Sequence, residues 1–562
     1  MDGDLSTMKK ILPWILLIGA LLASFFFFQR TLGEVFLPFT GAGTATPYIP
    51  VSPSQTPVPT ESPTVTPTPT PEPPSLWLDP VFPAGFQSRV ALPPGLVMAA
   101  SPDQATYRVS VGDEKPHSRW VYALVAPFPT VVDEVPFQDV RDAWAGELNP
   151  TFSNSPLLMT DSTSYVFTEL WGEPAAGAIR VVEADDLMGM AWESRPSWAL
   201  VPFEDLSPRW KVLSVDGASP IRKGFEAERY PLTVTFSLLG GKLGDGVLPT
   251  TNQEPGKMTT LVMTGVTALV RATAYTMEMK GLTYPAQDIR PWLVDADITH
   301  ISNEIPFVKG CPYPDPNQKG LEFCSDPRYI ELLEHVETDI VELTGDHFGD
   351  WGAEAMLYTL ELYDQRGWPY YGGGENRQQA RKPVILEHHG NRFGFIGCNA
   401  KGGGYAQASS DYPGAVACDF EYMTDQVRTL KDEGIIPIVT FQHLEFYKYE
   451  PLPILVQDAG RMTEAGAVIV SGSQAHQPHG LEIDEGSFVH YGLGNLFFDQ
   501  YAGSPNVSET RKAFVDRHVF YDGRHISTEL LTMVFVDFAR ARPMTVEERR
   551  DLLQRTFSAS GW

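Results

Sequence analysis

VSGSQAHQPHGLEIDEGSFVHYGLGNLFFDQ, residues 470–500, opens on the end of an apolar run, Ala467 to Val470. That run reads as a buried strand closed by the turn pair Ser471-Gly472. Gln474, His476 and His479 follow directly. A second strand is expected over 487–491, and Gly492-Leu493-Gly494-Asn495 turns the chain into the apolar Leu496-Phe497-Phe498. Ligand-type residues crowded at the carboxyl end of a strand are how α/β folds build active sites.

Working upstream, the same pattern repeats. Strands are expected over 258–265, 297–304, 339–344, 394–398 and 435–441, with helices over 268–279, 353–366 and 420–433. Alternating strands and helices imply a layered α/β domain, placed at 257–540 with 541–562 as a C-terminal tail. The strand ends deliver Glu304, Asp346, His347, His443, Gln474 and His476. Carboxylate, imidazole and amide groups on one edge suit a divalent transition metal. Such an ion activates water or clamps a phosphate. His347, beside Asp346, is placed to protonate a leaving group. The bland alternative for Glu304 and Asp346 is helix capping, and for His347 a hydrogen bond to Asp350.

The order of these motifs resembles the CapA family of capsule and poly-γ-glutamate synthesis proteins. Gly265 to Arg271, Ser302-Asn303-Glu304 and Thr344 to Gly352 are similar to three of its motifs. So are GGGENRQQARKPVIL (372–386), Gln442-His443, GSQAHQPHGLE (472–482) and HYGLGNLFFDQ (490–500). The resemblance implies an α/β/β/α fold of the metallophosphoesterase type. It also implies a divalent metal held by Glu304, Asp346, His443 and His476, with His347 as acid and Arg271 and Asn495 toward substrate. Two family ligand positions fall on Val266 and Gln474, so one metal, or none, is expected rather than two. His479 and His490 have no counterpart and are given no role.

The flanking sequence sets the context. Residues 1–10 end in Lys9-Lys10, and Ile11 to Phe28 carries no charge, long enough for a single-pass helix with its N-terminus inside. Residues 29–75 are Pro- and Thr-rich and read as an extended stalk. Residues 76–250 mix strand-like and helical runs, an α/β region of its own. Its segments 135–147 and 198–217 and Tyr230-Pro231-Leu232 resemble pieces of periplasmic solute-binding proteins of the phosphate type, with no ligand residue carried over.

Composition narrows the partners. A net charge of −28 over 562 residues excludes nucleic acid as a partner. The 43% hydrophobic content is enough to fill real cores. Four cysteines fall in two local pairs, Cys311/Cys324 and Cys398/Cys418, without zinc-site spacing. With an exported N-terminus they read as two disulfides. The expected whole is a membrane-anchored, extracytoplasmic protein of surface-polymer synthesis or export. It acts on a phosphoester or anionic polymer, or binds polymer without catalysis.

Overall fold

The computed structural model describes residues 72–147, 149–484, 486–500 and 509–562. The expected 1–10 tail, the 11–28 span and nearly all of the stalk lie outside these. Among the described residues no helix is long and apolar enough to cross a membrane.

The C-terminal half is built on two sheets. In the first, the strands run in the order Tyr370–Tyr371, Ile340–Glu342, Ile298–Asn303, Met258–Thr264, Lys512–Tyr521, Arg524–Phe535, Ala541–Pro543. The second is ordered Val384–His388, Asn391–Asn399, Ile436–Gln442, Ile469–Ser471, Ser487–His490, Leu481–Asp484.

Side-chain alternation stacks these sheets face to face. Leu261 and Met263 join Ile438, Ile469 and Phe488 in the core between the sheets. Their neighbour Val262 faces the opposite way, into the core with helix Gly352–Asp364. On the far sheet Val439, Val470 and Val489 pack against helices Phe420–Asp432 and Pro453–Ala465. A strand buried on both faces is mostly apolar, and its polar side chains, such as Thr260 and Thr264, are hydrogen-bonded locally. The layers are helix, sheet, sheet, helix.

The helix expected from 268 begins at Arg271, because Val266–Thr267 continues as a short strand between Ile298–Asn303 and Asn495–Phe497. Residues 541–562, expected as a tail, instead form the edge strand Ala541–Pro543 and helix Val546–Ala559, with Leu552, Leu553 and Phe557 in the inter-sheet core.

The N-terminal region carries a nine-stranded mixed sheet centred on Thr233–Leu239, Pro116–Pro127 and Trp198–Pro202, with helices Phe137–Trp144, Asp161–Trp171 and Ala184–Glu193. It is not a separate body. Met258, Val519, Tyr521 and Ile526 from the C-terminal half belong to its core, and Phe128 joins the inter-sheet core in return. Arg549 forks onto Asp133 at 2.7 and 2.8 Å, and Arg222 meets Glu529 at 2.6 Å. Residues 72–562 therefore form one compact unit.

Candidate metal centre

Two parallel strand ends bring the acids together. Glu304 follows Ile298–Asn303, and Asp346 follows Ile340–Glu342 on the neighbouring strand. Close approach depends on Gly345, where a Cβ would lie 2.7 Å from the Glu304 Cα. A side chain at 345 would push the strand ends apart. Ligand atoms of Glu304, Asp346 and His347 lie within 4.8 Å of one another. His476, from the loop after Ile469–Ser471, points Nε2 at Glu304 Oε1, 3.9 Å away.

The charges here are unevenly compensated. Burial raises the Glu304 carboxyl, and the charge of Asp346 adds to it, to about 8. Asp346 is buried too, yet His347, Lys401 and the Gln442 amide hold it below the ordinary range. Burial works against a proton on His347. The hydrogen bond to Asp350 (2.8 Å) and the charges of Glu304 and Asp346 outweigh it, lifting the group to about 9. Asp350 also accepts the backbone N–H of Phe323 at 2.7 Å, so the Cys311–Cys324 loop is tied to this histidine.

Asn495 orients His476. Its amide nitrogen donates to the His476 and Thr510 carbonyls (both 3.3 Å), which turns its oxygen to Nδ1 at 2.9 Å. Nδ1 then carries the proton, and burial keeps the ring neutral. Nε2 is left with a free lone pair facing Glu304, the arrangement a metal-binding histidine requires.

The structure moves several expected residues. His443 is not in the group. Along a strand side chains alternate, so Gln442 faces the acids (2.7 Å to Asp346) and His443 faces away, within 3.4 Å of the buried Asp458. Burial depresses His443 to about 4. Asn495 is spent on His476 rather than free for a substrate. Arg271 is held by Asp499 at 2.8 and 3.2 Å and lies over the Phe323 and Phe498 rings. His479 and His490, given no role, bond the Lys448 carbonyl and Asp516, both at 2.6 Å. Both expected disulfides are present.

Sequence reasoning missed Lys401, Gln442, Glu445 and Asp499. Lys401 bonds Asp346 and stands 3.5 Å from Glu445. A Gly-rich loop gave no periodic signal for it. For Gln442, strict alternation from the 436–442 run was the available signal.

The donor set gathers around one place, at Glu304. Glu304 and Asp346 are buried side by side, with the neutral His476 nitrogen aimed at Glu304 and with Lys401 and His347 already set against Asp346. A second ion finds fewer donors among the described residues, the unpartnered Gln474 Oε1 being the one left at the two changed positions. Val266 lies in a buried apolar cluster with Ala268, Val270, Ile305, Phe323 and Phe498. Gln474 offers only a neutral amide, its nitrogen on Ser302 at 2.7 Å.

Residues 260–500 match the family model described as bacterial capsule synthesis protein PGA_cap. The capsule biosynthesis protein CapA of Bacillus anthracis is 22% identical over 55% of this chain and 74% of its own. The PGA biosynthesis protein CapA of Bacillus subtilis (strain 168) is 24% identical over 50% and 71%. Among solved structures, the NAD nucleotidase NadN of Haemophilus influenzae aligns over 54% of this chain and 56% of its own at 10% identity and TM-score 0.32. An ABC-type phosphate transport receptor from Vibrio cholerae aligns over 31% and 88% at 11% identity and TM-score 0.24. Both scores are too low to bear on function.

Proposed function

Residues 260–500 belong to the bacterial capsule synthesis family, and from that premise we propose that this protein serves the synthesis or export of an anionic surface polymer of the poly-γ-glutamate kind. It works outside the membrane, anchored by the 11–28 segment. The two disulfides support an oxidising compartment.

The observation that carries a catalytic reading is the Glu304, Asp346 and His347 group with His476 beside it. Glu304, Asp346 and His476 would hold one divalent cation. When bound, it supplies a Lewis acid for a phosphoryl or carbonyl oxygen. The protein's own contribution is proton control. His347, kept charged at neutral pH by Asp350, holds a proton for a leaving group, and Asp350 fixes which ring nitrogen faces outward. Asn495 holds the His476 ring in place.

The test is elemental analysis of the purified protein, followed by assay on phosphoesters and on poly-γ-glutamate. One equivalent of a transition metal, lost in Glu304→Ala, with turnover lost in His347→Ala, is expected. Unchanged turnover in His347→Ala refutes the acid role. The second reading, polymer binding without catalysis, is favoured by Val266 and Gln474 at two family ligand positions. Polymer co-sedimentation unaffected by chelator and by both substitutions would select it.

A further inference from the structure

We propose that the cavity between the N-terminal region and the last strands and helix of the chain binds a small organic acid, one carboxylate on an apolar body about the size of a single ring. The inference is independent of the metal-holding reading above.

The cavity measures about 230 Å³ and draws its walls from both halves of the chain. Phe128, Asp133, Lys211 and Arg222 come from the N-terminal region. Strand Arg524–Phe535 adds Glu529 and Leu530, and helix Val546–Ala559 adds Arg549, Leu553 and Phe557. Junctions of this kind are where ligand pockets form. A cavity of about 150 Å³ takes a benzene ring, so this one takes a ring with a short arm.

The charged lining is lopsided. Lys211, Arg222 and Arg549 face two acids, Asp133 and Glu529, in a chain whose net charge is −28. Asp133 is already engaged by the Arg549 fork and by Lys211 at 2.7 Å. Glu529 is shared between Arg222 at 2.6 Å and the buried Arg517 at 3.5 Å. Lys211, its side chain 14% exposed, gives a second N–H to the Thr130 carbonyl at 2.7 Å. An ammonium has three N–H groups, so one is left without a protein partner among the described residues. Burial lowers Lys211 to about 8 against the pull of Asp133, the mark of a positive charge held from water with too few anions around it. A carboxylate entering here meets that donor and that surplus charge, and its body meets Phe128, Leu553 and Phe557. A cation would meet acids already taken.

The test uses the full-length purified protein and three probes of one shape, 3-phenylpropionate, 3-phenylpropanamide and 3-phenylpropylamine, titrated by saturation-transfer NMR at pH 7. The acid should bind saturably and about tenfold tighter than the amide, the worth of one charge-assisted hydrogen bond. The amine should not bind. Lys211→Met should bring acid and amide to parity, with circular dichroism checking the fold. Arg222→Gln, on a side chain 40% exposed, takes its place if Lys211→Met does not fold, and should narrow the preference. Met544→Trp puts a larger side chain into the lining and should weaken acid and amide alike. No saturable binding of the acid, or equal binding of acid and amide to wild type, overturns the proposal. So does a preference unchanged in the folded charge variant, or binding unmoved by Met544→Trp, which would put the probe elsewhere.

Discussion

Replacing Glu304 by Gln removes a charge that folding buries beside another carboxylate while keeping the side-chain shape. Moving this carboxyl from its ordinary 4.5 to about 8, with burial the largest cause and Asp346 next, makes protonated Glu304 the favoured folded form. A group raised in this way contributes stability below its unfolded value of 4.5 and loses it as pH climbs through about 8. At about 1.4 kcal/mol per pH unit, the full loss by pH 8 is about 5 kcal/mol. The charge of His347 pulls the other way and is outweighed. Glu304→Gln has no such slope.

Urea denaturation in EDTA at pH 5 and pH 8.5, on both proteins, reads the difference. The variant should gain about 4 kcal/mol relative to wild type between the two pH values. Mn2+ should then recover wild type and leave the variant unchanged, since only the carboxylate can hold the ion. A stability difference that does not move with pH would refute the picture of an uncompensated buried acid, and with it the reason for a cation at this place.

Two further outcomes follow from the same geometry. Cys398→Ser with Cys418→Ser releases a 20-residue separation, and should cost about 3 kcal/mol in urea midpoint analysis; an unchanged midpoint would mean other contacts hold the Lys401 loop. Residues 72–255 expressed alone should show no cooperative thermal transition, because Met258, Val519, Tyr521 and Ile526 complete their core. A sharp transition would make that region an independent domain.

Much of the C-terminal architecture was legible in the chain. Strands 258–264 and 436–442 are buried on both faces, so every position is apolar or locally bonded and the run stands out. Helix Phe420–Asp432 was legible because one stripe, Met423, Val427 and Leu430, is buried. Glu304, Asp346 and His347 were found because strand ends bear the polar residues. The 541–562 segment was misread because helix Val546–Ala559 opens on a charged first turn and buries only one side.

The sequence by itself determined the layered α/β class, the two cysteine pairs and the acids that meet at the strand ends. These depend on local periodicity and on residue type, which are written along the chain. Tertiary structure alone decided that His443 turns away to Asp458, that Asn495 serves His476, and that Lys401 neutralises Asp346. It also decided that the N-terminal region shares its core with the C-terminal half. Each depends on contacts between residues far apart in sequence. Which face of a strand a residue takes, and which charge a loop lysine meets, exist only once the sheets have stacked.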